Sequence, residues 1–230
     1  NPTLVLVVLA DVVEQADGVP VMCDSTFATP VLQTPAAHGV ALVVHSGTKF
    51  IGGHGDVLAG VVACSEAWAA KLRNVRILTG ANVHPLAAYL LHRGLPTLPL
   101  RVRRAQETAT ALASRLLAHD AVSQVYHPSV PGRDPKGLVG TQMRGPGPML
   151  SFEVRGGFEA ADRLMRALRV ITPAVSLGST DTLIQHPAGL TQRVASADAP
   201  GAITPGLLRL AVGLEDADDL WADLLRGFPS

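Results

Sequence analysis

The sequence predicts an α/β protein: a mostly parallel sheet in its first half, followed by a smaller C-terminal α/β domain. Three observations carry this prediction. Short apolar runs recur at 19–23 (VPVMC), 41–45 (ALVVH) and 56–64 (DVLAGVVAC), the length of buried strands rather than helices. The stretch from Asp24 to Ser46 is long enough for the crossover that parallel neighbours require. After residue 66 helical periodicity takes over, and the chain closes on a strand, helix, strand, helix series.

Taken in order, TLVLVV (3–8) has strand composition, and VVEQAD forms a short helix leading to Gly18. VPVMC is a buried strand with a carboxylate, Asp24, at its C-terminal end. ATPVLQTPAAHG holds two prolines and reads as a broken helix or turn. ALVVH is a second buried strand that stops just before Ser46, and DVLAGVVAC is a third. SEAWAAKLRNVR is helical, and residues 85–119 show helical periodicity in two segments separated at Gly94 and Pro96. The Gly- and Pro-rich stretch 125–148 is expected to be loop. MLSFEVRGG is a strand, FEAADRLMRALRV a helix and LLRLAVGL a strand. EDADDLWADLLRGF is an amphipathic helix whose acidic first turn suits the helix dipole. The expected division is 1–104 and 105–230.

Bulk properties exclude several classes. With 19 basic and 19 acidic side chains the net charge is zero, and no Arg/Lys block offers a nucleic-acid footprint. No apolar stretch approaches the ~18 residues of a membrane span. The chain is 47% apolar and 17% charged, which points to much buried surface within a sheet or between subunits. Cys23 and Cys64 sit in apolar runs and are expected to be reduced core residues of a cytoplasmic protein. His45, His54 and Asp56 lie close in sequence, but no histidine pair has the i, i+4 spacing of a helical zinc site. GGHG follows its lysine, whereas a P-loop places its glycines before it, and no G-x-S-x-G occurs. The chain opens Asn-Pro-Thr, without Met and without a secretory signal, which suggests a piece of something longer.

The chemistry concentrates around VVHSGTKFIGGHG (43–55). Carboxyl ends of strands in such sheets are where ligands bind. Asp24 lies at one strand end, and Ser46, Thr48 and Lys49 follow another. An acid, two hydroxyls and an amine then share one rim. A desolvated lysine attacks carbonyl carbon. A carboxylate facing a pyridine nitrogen keeps that nitrogen protonated, and hydroxyls with backbone N–H groups hold phosphate. These are the parts a protein supplies to pyridoxal 5'-phosphate. Taken singly, each residue has a plainer reading. Lys49 could snorkel to solvent, Asp24 could cap a turn, Arg209 could form a structural salt bridge, and Ser176 could be a turn serine.

SGTKFIGGHGD, with DSTFATP upstream, resembles the cofactor-lysine signature of the Cys/Met-metabolism pyridoxal-phosphate enzymes. SLGSTDTLIQHPAGLTQR (176–193) and GLLRLAVGLEDADDLWADL (206–224) resemble that family's later segments, in the expected order. The resemblance implies the fold-type I architecture with its N-terminal part missing: 1–104 would complete the cofactor-binding large domain and 105–230 would be the small domain. It implies that Lys49 links covalently to the cofactor and moves protons, and that Asp24 pairs with the pyridinium nitrogen. It further implies that Ser46 and Thr48 bind the phosphate and that Asn1 contacts the ring's phenolic oxygen. Arg209 would clamp the substrate α-carboxylate, with Ser176 lining the same pocket. The implied activity is a C–S lyase reaction on a sulfur amino acid, of the methionine γ-lyase type. Cystathionine γ-lyase or γ-synthase chemistry is the alternative, and a non-catalytic remnant serving oligomer contacts is another. A small amino acid is the expected substrate, and relatives form homotetramers as dimers of dimers. Ser25 stands where the family usually has Asn, Ala41 where Asp is common, and Gln192 where a His closes the later segment. If nothing lay upstream of Asn1, cofactor binding would be expected to be weak or absent.

Overall fold

The computed structural model describes residues 3–190, with only the backbone of Leu190, and 203–228. The chain divides into two compact units: Val7–Pro99 with Leu138–Gly145, and Leu100–Gly137 with Asn1–Leu6 and Pro146–Ser230.

The first unit holds α1 (Leu9–Gln15), β1 (Met22–Asp24), α2 (Thr29–Leu32), a 3-10 turn (Pro35–His38), β2 (Leu42–Ser46), a π-turn (Gly47–Ile51), β3 (Gly60–Cys64), α3 (Glu66–Thr79) and α4 (Pro85–Gly94). Its sheet runs β1-β2-β3. β1 and β2 are parallel, with Asp24 opposite Val44. β3 departs from the parallel expectation: it lies antiparallel to β2, with Ser46 opposite Gly60. Direction is a property of the pairing, and a short apolar run does not encode it. Leu9, Val40 and Val43 form the core between α1 and β2.

The expected strand at 3–8 is irregular chain from Leu4 to Val8. Its alternation of apolar side chains survives, but no strand pairs with it among the described residues. The Gln142 side chain serves instead, donating to Val7 C=O and accepting from Leu9 N–H, each at 2.9 Å. β1 is an edge strand with Met22 and Asp24 exposed, so neither the buried strand nor the buried acid expected from sequence is found in this chain. The cysteines also differ from expectation: both are free thiols, and both are half-buried rather than core.

The second unit takes in most of α5 (Leu98–Leu117), then β4 (Val122–Tyr126), β5 (Met149–Val154), α6 (Gly157–Ala167), β6 (Thr172–Pro173), β7 (Leu183–Gln185), α7 (Pro187–Leu190), β8 (Leu207–Ala211) and α8 (Ala217–Leu225). Its sheet has the order β4-β5-β8-β7-β6 and is antiparallel except for β6 against β7. β4 runs into the stretch expected to be loop, β7 lies within the 176–193 segment, and β6 lies just before it; neither β6 nor β7 is expected from the sequence. One face of the sheet packs Leu150, Phe152, Leu208 and Leu210 against Leu112 and Leu116 of α5, Leu164 of α6 and Leu220 and Leu224 of α8. The helices expose the 3–4 residue spacing that puts these leucines on one stripe, so burying them drives the docking.

Within this unit Asp223 of α8 is buried, and its carboxylate accepts backbone N–H from Arg169 at 2.9 Å, Val170 at 2.9 Å and Ile171 at 2.9 Å. It fixes the exit of α6 onto the strand that follows. No helix among the described residues is long and apolar enough to cross a membrane.

Candidate functional site

Parallel pairing of β1 and β2 sets the first unit's rim. Asp24 ends β1, Ser46 ends β2, and the chain then folds into the π-turn that carries Thr48 and Lys49. Ser46, Thr48 and Lys49 are half-buried. Lys49 has non-helical backbone angles inside the turn, φ −92° and ψ −129°. The turn is nonetheless closed on itself, by Gly52 N–H to Gly47 C=O at 2.9 Å and Gly53 N–H to Lys49 C=O at 2.7 Å. Glycines make this closure possible by close approach. A Cβ on Gly52 would stand 2.5 Å from Val57 Cγ1 and 2.9 Å from the Gly47 oxygen.

Asp24 is oriented by its own loop. Oδ1 accepts from Thr26 N–H at 2.8 Å, the short-range bond typical of an aspartate that turns the chain. Oδ2 accepts no hydrogen bond among the described residues. Beside it, Ser25 N–H donates to Val44 C=O at 2.8 Å, and Ser46 N–H donates to the Thr26 hydroxyl at 2.8 Å. His45 is buried, and burial lowers its pKa, with Asp24 and a Ser25 backbone hydrogen bond opposing the shift. Its Nδ1 has no hydrogen-bond partner among the described residues. The Thr48 hydroxyl meets Ala59, accepting from its N–H at 3.1 Å and donating to its carbonyl oxygen over a long 3.4 Å, a weak bond whose proton can turn to a phosphate oxygen.

The remaining proposed residues lie elsewhere. Arg209 is on β8 of the second unit, with Ser151 of β5 and Gln185 of β7 directly opposite in register. All three are buried, so they form a polar row across an otherwise apolar sheet. Burial pushes the pKa of the Arg209 guanidinium down, but from so high a value that it stays a cation at neutral pH. Nη2 donates to the carbonyl oxygens of Val175 at 3.2 Å and Ser176 at 3.5 Å. Ser176 therefore meets Arg209 through its backbone, and its side chain belongs to an exposed residue. Asn1 and the Thr191–Gln192 end of the later motif lie outside the described residues.

The structure thus gathers Asp24, Ser46, Thr48 and Lys49 on one rim, and Arg209 with Ser176 in the second unit. Sequence reasoning missed Thr26 and His45. Thr26 stood inside the quoted DSTFATP, but nothing local marks its hydroxyl as the partner of Ser46. The donor set on the rim fits pyridoxal phosphate. A carboxylate oxygen without a hydrogen bond suits a pyridinium, a half-buried amine suits an aldehyde, and a serine and threonine beside backbone N–H groups suit a phosphate.

Comparison with known proteins agrees. The family described as Cys/Met metabolism PLP-dependent enzyme matches residues 1–229. The L-methionine gamma-lyase of Brevibacterium aurantiacum is 55% identical over 226 residues, covering 98% of this chain and 55% of that protein. That of Streptomyces avermitilis is 50% identical, covering 97% of this chain and 50% of the relative. Among solved structures, an apo methionine gamma lyase from Micromonospora echinospora superposes with TM-score 0.92 at 40% identity, over 99% of this chain and 62% of that one. A cystathionine gamma synthase from Xanthomonas oryzae pv. oryzae gives TM-score 0.93 at 40% identity, over 99% and 60%. The chain spans little more than half the length of these relatives. Their fold is its fold, and the α/β expectation holds. The chain belongs to the Cys/Met-metabolism family of pyridoxal-phosphate-dependent enzymes.

Proposed function

We propose that the protein is a pyridoxal-phosphate-dependent C–S lyase that acts on a sulfur amino acid as a methionine γ-lyase does. The reaction consumes water and gives a thiol, a 2-oxo acid and ammonia. The observation that carries this reading is the shared rim, where the Asp24 carboxylate ends β1 and Lys49 sits in the turn that follows the adjacent parallel strand β2. The names of the relatives described above support the choice of substrate.

Bound pyridoxal phosphate supplies an electron sink for the carbanion formed on the substrate. The chain's own residues do the rest. Asp24, held by Thr26 N–H, keeps the ring nitrogen protonated through an ion pair. Ser46 and Thr48 hold the phosphate. The Lys49 amine takes the proton from the substrate α-carbon and returns protons later in the cycle. Arg209 holds the α-carboxylate through its planar fork, with Ser176 lining the substrate pocket. Asn1, outside the described residues, would contact the phenolic oxygen, as the family resemblance implies. Residues 1–104 serve the cofactor and 105–230 form the small domain.

The substrate is a small amino acid, and the working form is a homo-oligomer built as a dimer of dimers. Exposed apolar side chains on α3 and α4 support this, among them Ile77 at 73% and Leu78 at 86% exposure. Two free thiols support a cytoplasmic location.

The test is chemical. Full-length protein is mixed with pyridoxal phosphate, reduced with borohydride and mapped by peptide mass. The expected result is a pyridoxyl group on Lys49 and none in Lys49→Ala. Methionine, cystathionine and an O-acylated homoserine are then supplied in turn, and thiol and 2-oxo acid are measured. Label on another lysine overturns the site, and turnover of cystathionine or the acylated homoserine in preference to methionine overturns the substrate.

A further inference from the structure

Thr26 sits between two residues to which the proposed function gives separate tasks. Its backbone N–H donates to Asp24 Oδ1 at 2.8 Å, and its hydroxyl oxygen accepts Ser46 N–H at 2.8 Å across 20 residues of sequence. The residue is buried, 8% exposed, on a rim where Asp24 is exposed and Ser46 half-buried. The β1–β2 ladder explains the second bond. Its last main-chain rung here is Ser25 N–H to Val44 C=O at 2.8 Å. The next donor, Ser46 N–H, meets a side-chain oxygen instead of a carbonyl. A half-buried amide left without that acceptor would be driven to move toward water. The loop that presents Thr26 is itself held in an uncommon shape. Thr29, a β-branched residue, has φ +59°, with its N–H bonded to Ser25 C=O at 2.9 Å. Backbone in so unfavourable a region persists only where its surroundings hold it.

Resting on the cofactor reading above, we propose that Thr26 is a positioning residue that couples the orientation of the Asp24 carboxylate to the placement of Ser46. Through one side chain and one amide, the end of β1 that faces the ring nitrogen is tied to the end of β2 that faces the phosphate. The hydroxyl is the part of this link that mutation can remove alone. Thr26→Val keeps the shape and the N–H and deletes the acceptor for Ser46. Thr26→Ser keeps the acceptor and deletes only a methyl.

The experiment uses full-length protein and reads cofactor dissociation constants from the visible band that depends on Lys49. Thr26→Val is expected to weaken pyridoxal phosphate binding roughly tenfold, the order that one lost hydrogen bond allows. It is expected to weaken phosphate-free pyridoxal less, since Ser46 serves the phosphate. Thr26→Ser is expected to bind both as the wild type does. Hydrogen exchange of the Ser46 amide should be slow in the wild type and in Thr26→Ser and fast in Thr26→Val. Unchanged affinity in Thr26→Val, or equal loss in both variants, overturns the proposal. Fast exchange of Ser46 in the wild type overturns it without any variant, even if Thr26→Val does not fold. A wild type with no Lys49-dependent band overturns the site reading itself, whereas a normal band with an indifferent Thr26→Val overturns only the coupling.

Discussion

Gly94, at the end of α4, lies directly against the carbonyl oxygen of Ile51, two residues past Lys49. A Cβ built on Gly94 would stand 2.4 Å from that oxygen and 2.8 Å from the Gly52 oxygen. Both obstacles are backbone, which cannot rotate away as a side chain can. Gly94→Ala must therefore displace α4 or the lysine turn. Overpacking of this kind costs about 1–3 kcal/mol. Urea unfolding should show that loss, and labelling of Lys49 by pyridoxal phosphate should fall with it. A variant as stable as the wild type and labelled as well would show that the helix has room to move.

Asp223 offers a sharper stability test. Its buried carboxylate satisfies three consecutive backbone donors, at Arg169, Val170 and Ile171. Asp223→Ala leaves three amides without this acceptor, that of buried Ile171 and those of the more exposed Arg169 and Val170, so the expected loss is about 1–3 kcal/mol. Asp223→Asn keeps one carbonyl acceptor and should lose less. Chemical denaturation of both variants checks the order, and an Asn variant worse than Ala would contradict it.

His127 makes stability depend on pH. Its Nε2 donates to Gly147 C=O at 3.1 Å, because a carbonyl can only accept, so Nδ1 is the acceptor of the Ser129 hydroxyl at 2.6 Å. Burial lowers its pKa below the ordinary value, and so does the burial of His45. Between the folded and unfolded pKa values the unfolded chain binds more protons. The neutral histidine's contribution is therefore complete above about pH 6.5 and is lost as pH falls toward the folded pKa. Unfolding free energy should drop on going from pH 7.5 to pH 5 (about 1.4 kcal/mol per pH unit for each such histidine at most), and His127→Gln should flatten the slope. A slope unchanged by that substitution would remove His127 from the account.

Arg209→Lys keeps a charge and removes the fork. In the proposed reaction this should lower kcat/KM roughly a hundredfold, since the lost bidentate bond to a carboxylate is worth about 1.5–3 kcal/mol. Lys49 labelling by pyridoxal phosphate should stay as in the wild type, because the proposed task of Arg209 is to hold the substrate and not the cofactor. Loss of labelling together with loss of turnover would mean that Arg209 supports the fold and not the substrate.

How much of this was readable beforehand depended on the range of the interaction. Lys49, Ser46 and Thr48 stand next to one another in the chain, and Asp24 ends a short apolar run, so their common rim followed from local pattern and the parallel pairing of β1 with β2. The long helix α5 and the terminal helix α8 were equally legible, because a stripe of leucines at helical spacing is a local signal. β6 and β7, at two and three residues, are too short to show any period. Residues 3–8 have the composition of a strand but lack a neighbour to pair with among the described residues, and composition does not supply one.

By itself, then, the order of residues determined which segments would be helical, which apolar runs would seek a sheet, and which side chains could handle an aldehyde, a ring nitrogen and a phosphate. These are properties of neighbours along the chain. Only the folded state decided that β3 runs against β2, that Asp24 stands exposed on an edge strand, that the Thr26 hydroxyl takes Ser46 N–H, and that Gly94 leaves room for the Ile51 carbonyl. Each of those depends on groups distant in sequence meeting at hydrogen-bond or van der Waals range, where the energy of contact is settled by tenths of an ångström that no local pattern records.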